Sequence, residues 1–215
     1  MSGWHYGQDD VVLRTPSPYA GGYSRHMDII IALLSYAGCI ALSLLVADFI
    51  TGLMHWAEDT WLKPGKSALL DRFIVDDNID HHRSPGKIRA GAYWQTNRVC
   101  IALALGVAAI LALCRVQMWE PYLVLALLSQ SNQIHLWAHS SRPPQIVKFL
   151  QRTGLLQSTS HHAEHHKRPY ASRFCTMTAF LNPVLDRIRF WRALETIAVA
   201  CGATVQRATP ARGGY

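Results

Sequence analysis

Apolar residues in this chain gather into long uninterrupted runs. Ile29 to Ala47 is a stretch of 19 residues without a charged side chain, enough for a helix to cross the hydrocarbon layer of a bilayer. The helix is expected to continue through Asp48 to about Trp56. A second run covers Val99–Leu113 and a third Pro121–Trp137. The hinge between them, Arg115–Glu120, is short and carries Trp119, a residue suited to the membrane interface. Segments around Gln145–Arg152 and Pro183–Thr196 are expected to be interfacial helices. The predicted fold is therefore all-α: an integral membrane helical bundle with about three spanning helices plus interfacial helices. The competing reading is a pair of buried helices in a soluble bundle. Residues 1–26, rich in Gly, Ser, Pro and Tyr, read as a flexible lead-in, residues 27–202 as one domain, and residues 203–215 as a frayed tail. The start is not basic and the first apolar run begins late, so no cleavable signal is expected.

Charge refines this picture. Only 16% of the 215 residues are charged, against 50% apolar, and the formal net charge is +7. That balance points to a membrane surface or an acidic partner. No nucleic-acid partner is expected, because neither zinc-finger spacing nor basic-aromatic interleaving occurs. Lys and Arg number two in residues 1–27, seven in 57–98, one in 114–120 and eleven in 140–215. Under the positive-inside tendency the loop 57–98 and the C-terminal region face the cytoplasm, and the 115–120 hinge faces away.

Five cysteines, Cys39, Cys100, Cys114, Cys175 and Cys201, include no C-x-x-C pair. Neither a disulfide framework nor a thiolate metal site is expected. Histidine is left as the metal donor, and there are eleven. Asp48, Gly52, His55 and Asp59 follow one another at helical spacing near the end of the first run, on one stripe. Asp48, in or beside the apolar layer, needs a partner inside the protein. His81 and His82 are read as lying in the basic loop, followed by a turn at Pro85-Gly86. Asn132, His135 and His139 share a face at the end of the third run, and the i, i+4 histidines match a spacing used to chelate metal from a helix. His161-His162-Ala163-Glu164-His165-His166 puts four histidines in six residues, with His162, His165 and His166 converging if helical.

Three spans would bring all these clusters to one membrane face. Eight to ten imidazoles exceed one coordination sphere and imply two metals. An imidazole and carboxylate shell without thiolate suits iron engaged in O2 chemistry.

In order and spacing these segments resemble the lipid desaturase family, which includes plasmanylethanolamine desaturase and the plant plastid desaturase acting on phosphatidylglycerol-bound palmitate. The likeness runs over roughly residues 40–200. It is carried by Asp48, Gly52, His55-Trp56, Asp59, His81-His82, His135 to His139, and His162 to Tyr170, with Asn182 and Leu194-Glu195 behind. The sequence departs from the usual family pattern over Ile88–Tyr93, and Tyr170 stands where animal members carry a further histidine, as in the plant form. The resemblance implies a di-iron site, O2 as co-substrate and an external electron donor of cytochrome b or ferredoxin type. Its implied ligands, and hence catalytic residues, are His55, Asp59, His81, His82, His135, His139, His162, His165 and His166. Asp48, Asn132, His161 and Glu164 are candidates for supporting roles around them. The expected reaction is desaturation of an alkyl or acyl chain of a phospholipid, of plasmanyl ether or phosphatidylglycerol type. The alternatives are a membrane lipid or carotenoid hydroxylase, a zinc-dependent membrane hydrolase using Glu164 as base, and a haem-binding membrane protein.

Overall fold

The computed structural model describes residues 20–62, 64–65, 67–84 and 93–205. The turn at Pro85-Gly86, the departing segment up to residue 92, and the ends of the chain (residues 1–19 and 206–215) lie outside the described residues. Helices follow one another as α1 (Ala20–Trp61), α2 (Ala68–Leu70), a π-helical turn (Asp71–Val75), α3 (Asp76–Arg83), α4 (Tyr93–Leu113), α5 (Glu120–Leu128), α6 (Ser131–Ala138), α7 (Gln145–Thr153), α8 (Thr159–Ala163), α9 (Leu181–Arg187) and α10 (Phe190–Ala200). No strand occurs among the described residues, so the fold is all-α. The chain divides into two compact units, Met1–Cys39 and Ile40–Tyr215, and every histidine of the clusters belongs to the second.

Two segments have the length and composition of membrane spans: Arg25–Trp61 and Tyr93–Leu113. The core helix of a soluble bundle would bury an apolar stripe. Here large apolar side chains stand exposed along both helices, including Leu33, Leu34 and Leu42 on α1 and Leu103, Leu105, Ile110 and Leu113 on α4. That surface suits lipid, not water.

Four expectations change. The lead-in is helical from Ala20, because a helix nucleated in the apolar run adds one backbone hydrogen bond for each residue it recruits. The third apolar run is not one helix. It breaks at Ser129-Gln130, where Ser129 Oγ donates to the Ala126 carbonyl (2.7 Å) and the Gln130 amide to the Leu127 carbonyl (3.0 Å). Short polar side chains there compete for the backbone, as they do wherever they interrupt a helix. His81 and His82 sit on helix α3, not in a loop. The segment Pro183–Thr196 forms two helices, parted where Arg189 takes the left-handed conformation (φ 55°).

The C-terminal part of α1 is the wall against which the rest packs. Ala47, Asp48, Thr51, His55 and Asp59 form its buried stripe. Behind it Phe174, Cys175, Leu185 and Trp191 form one apolar cluster, joined by Phe49, Leu53 and Trp56. Ala47, Ile134 and Met177 form another with Leu127, Leu128 and Trp137.

Candidate metal centre

The histidines gather into two groups of donors. His81, His135, His139 and His162 form the first; His55, Asp59, His82 and His165 form the second. Within each group the donor atoms lie within 4.8 Å of one another. Helix geometry explains the sorting. Adjacent residues on a helix point about 100° apart, so His81 and His82 on α3 enter different groups. Residues four apart share a face, so His135 and His139 enter the same one, as do His55 and Asp59. The last box does the same with a shorter helix than expected: α8 ends at Ala163, and a turn with the His165 amide on the His162 carbonyl (2.9 Å) carries His165 across to the second group.

In the first group His135 Nε2 lies 2.8 Å from His162 Nε2 and 3.2 Å from His139 Nε2. His166 joins them, its Nε2 3.1 Å from that of His162. Its ring is 4.7 Å from His81 and 5.2 Å from His82, between the two groups. In the second group Asp59 Oδ1 accepts from Asn78 Nδ2 (3.0 Å) and lies 2.8 Å from His82 Nε2. Its Oδ2 faces His165 Nε2 at 3.3 Å and His55 Nε2 at 3.7 Å.

A cation fits both places. Asp59 Oδ2, His55 Nε2, His165 Nε2 and both ring nitrogens of His81 are buried without a hydrogen-bond partner. Buried polar atoms are otherwise paired almost without exception, and here Asp59 Oδ2, His55 Nε2 and His165 Nε2 face one another. Two far nitrogens of the second group are held as metal-bound histidines require. His55 Nδ1 donates to the Phe174 carbonyl (3.1 Å) and His165 Nδ1 to the Ser172 carbonyl (2.9 Å), leaving both Nε2 lone pairs facing inward. Burial, and after it the neighbouring imidazoles of His135 and His139, holds His81 well below the usual histidine range. Burial does the same to His162, with His165 and His139 adding to it. His166 is lowered to about 2, by burial first and then by His165. These shifts favour the neutral ring, the form that binds metal. The donors are nitrogen and oxygen only. Cys175 is buried, and burial pushes its thiol above the usual range.

Three expected supporting residues point elsewhere. His161 meets Arg173 Nη1 (3.0 Å) and Asn182 Nδ2 (3.2 Å), and burial with the nearby guanidinium lowers it to about 4. Glu164 pairs with Lys167 at the surface (2.6 Å). Asn132 donates to the Thr96 carbonyl (3.0 Å) and so ties α6 to α4, not to the histidines. Asp48 lies outside both groups and accepts from the Met177 amide (2.8 Å) and the Thr178 hydroxyl. Sequence reasoning missed the Ser172 and Phe174 carbonyls, which no side-chain pattern announces. The contact of Asn78 with Asp59 had a signal in its position, three residues before His81.

Residues 44–208 match the lipid desaturase domain. The chain is 30% identical over 84% of its length to plasmanylethanolamine desaturase of Myxococcus xanthus, covering 63% of that protein. It is 32% identical over 71% of its length to plasmanylethanolamine desaturase 1 of Mus musculus, covering 61% of it. It is also 32% identical over 81% of its length to chloroplastic fatty acid desaturase 4-like 1 of Arabidopsis thaliana, covering 59% of it. The chain thus spans about six tenths of the length of these relatives. No solved structure matches it. With the domain matched over most of its length, and with the histidine segments that carried the resemblance gathered into one buried cluster, the chain belongs to the lipid desaturase family.

Proposed function

We propose that this chain is an integral membrane, O2-dependent di-iron desaturase that introduces a double bond into an alkyl or acyl chain of a phospholipid. The observation that carries the reading is the division of the buried and half-buried donors into two sets of four, side by side. One set would serve a single zinc; two adjoining sets of nitrogen and carboxylate donors suit a pair of irons. His81, His135, His139 and His162, with His166 beside them, would hold one ion; His55, Asp59, His82 and His165 would hold the other. When bound, the pair supplies the activation of O2 needed to attack an unactivated C–H bond.

The overall change takes two hydrogens from neighbouring chain carbons. With O2, two electrons and two protons, –CH2–CH2– becomes –CH=CH– and two waters leave. The electrons come from a separate donor protein of cytochrome b or ferredoxin type. The chain's own residues fix the donors and keep water out. His55 and His165 are locked in one tautomer by backbone carbonyls. His162, His165 and Asp59 are almost wholly buried, which protects reactive species from side reactions. The relatives' printed names support a lipid chain as substrate, of plasmanylethanolamine or fatty-acyl type. We place the histidine clusters on the cytoplasmic side, on the strength of the Lys and Arg distribution.

The zinc-hydrolase alternative loses its base, since Glu164 is at the surface in an ion pair with Lys167. Expression in a host lacking the activity, followed by lipid mass spectrometry, tests the proposal. The expected product is a phospholipid lighter by two hydrogens, formed only with O2. A lipid heavier by one oxygen would instead make the protein a hydroxylase.

A further inference from the structure

Residues 172–178 form neither helix nor strand, yet Phe174 to Thr178 are all buried. Buried backbone groups outside regular structure need partners, and this strap takes many of them from side chains. The Arg173 amide donates to Asp186 Oδ1 (3.3 Å), the Cys175 amide to Asn182 Oδ1 (2.9 Å), the Thr176 amide to Thr51 Oγ1 (3.3 Å) and the Met177 amide to Asp48 Oδ1 (2.8 Å). The Cys175 carbonyl accepts from Gln157 Nε2 and Asn182 Nδ2, both at 2.8 Å. The two carbonyls turned the other way, those of Ser172 and Phe174, accept from His165 and His55.

One side of the strap is therefore clamped by side chains, and the other aims two imidazoles, both of the second donor group. The clamp on α1 is Asp48, whose two oxygens take the Met177 amide and the Thr178 hydroxyl. Gly52, one turn on, makes the approach possible. A Cβ there would stand 2.6 Å from Cys175 Sγ, 3.1 Å from the Trp191 ring and 3.2 Å from the Cys175 amide nitrogen. We infer that Asp48 and Gly52 are positioning residues for the second metal position: they seat the 172–178 strap so that its carbonyls orient His55 and His165. This rests on the di-iron reading and adds to it a selective role for residues that touch neither ion.

The test is iron stoichiometry on the purified full chain in detergent, with Mössbauer spectra of protein loaded with 57Fe, resistance to a ferrous chelator, and helix content by circular dichroism. Wild type should carry about two irons per chain. Asp48→Ala should carry about one, with the remaining spectrum resembling one component of the wild type. Iron at the affected position should be lost to the chelator about 10–100-fold faster, the range seen when support of a ligand is removed. Asp48→Asn should restore the second iron, because its carbonyl still accepts from Met177 and its amide can donate to Thr178. Gly52→Ala keeps every hydrogen-bonding group and should behave like Asp48→Ala. Two firmly held irons in Asp48→Ala, or an Asp48→Asn as depleted as Asp48→Ala, would overturn the inference. So would parallel loss of both irons and of helix content, which would make the strap a folding element. If Asp48→Ala does not fold, Gly52→Ala decides by the same criterion. A wild type without iron overturns the di-iron reading and this inference together; an iron-replete wild type with unaltered variants overturns the inference alone.

Discussion

His161 and His162 are adjacent in sequence and opposite in surroundings. His162 is wholly buried among the donors, whereas His161 is half-buried against Arg173 and Asn182. Replacing His162 or His165 by Ala should remove an iron and reduce desaturation at least about 100-fold, as loss of a ligand costs at least as much as loss of its support. His161→Ala should keep both irons and lose no more than about 10-fold, and Glu164→Ala should leave activity unchanged. Iron content and lipid product measured on the same preparations check all four; a His161→Ala protein as empty as His165→Ala would put His161 among the ligands. At this scale the gathering of the donors was legible: of the nine implied ligands His55, Asp59, His81, His82, His135, His139, His162 and His165 enter the two groups, and His166 lies beside them. The residues around them were not. Asn132 shares the helix face of His135 and His139 in register, yet a carbonyl on α4 captures its amide. Such captures depend on which neighbour happens to arrive, and spacing along one helix carries no information about that.

Between residue and molecule, the helices determine which donors can meet. The i, i+4 pairs on α1 and α6 were legible because helical periodicity is local. The sorting of His81 from His82 was not, since it required knowing that α3 is a helix, and eight residues with few apolar positions advertise no helix of their own. The third run was read as one span because it is apolar from Pro121 to Leu128 and resumes at Ile134; the polar pair Ser129-Gln130 breaks it. The sidedness expectation is testable despite the break. In a background with the native cysteines replaced, Gln117→Cys and Arg83→Cys both place a thiol at an exposed position. An impermeant maleimide applied to sealed vesicles should label one from outside and the other only after permeabilisation. Labelling of both from the same side would mean that α4, the one helix between the two positions, does not cross the bilayer.

At the scale of the molecule, α1 and α4 expose large apolar side chains, and the C-terminal part of α1 carries His55 and Asp59. The 19 residues from Ile29 to Ala47 rise about 28 Å as a helix at 1.5 Å per residue, close to the roughly 30 Å of hydrocarbon. If Ile29 to Ala47 occupies the bilayer, the stretch from Asp48 to Trp61 emerges from it, and that stretch carries His55 and Asp59. On the proposed di-iron reading the two donor groups act together. This arrangement makes a prediction about the metal as a pair. Removal of iron by a chelator under reducing conditions should abolish desaturation, and activity should return with ferrous iron but not with zinc, which has no redox chemistry. Recovery should track the doubly loaded fraction, because each group supplies only one ion's donors and the reaction needs both. At partial loading with independent filling, activity should therefore rise as about the square of mean occupancy. A linear rise, with full activity at one iron per chain, would mean that one group works alone and that the other is structural.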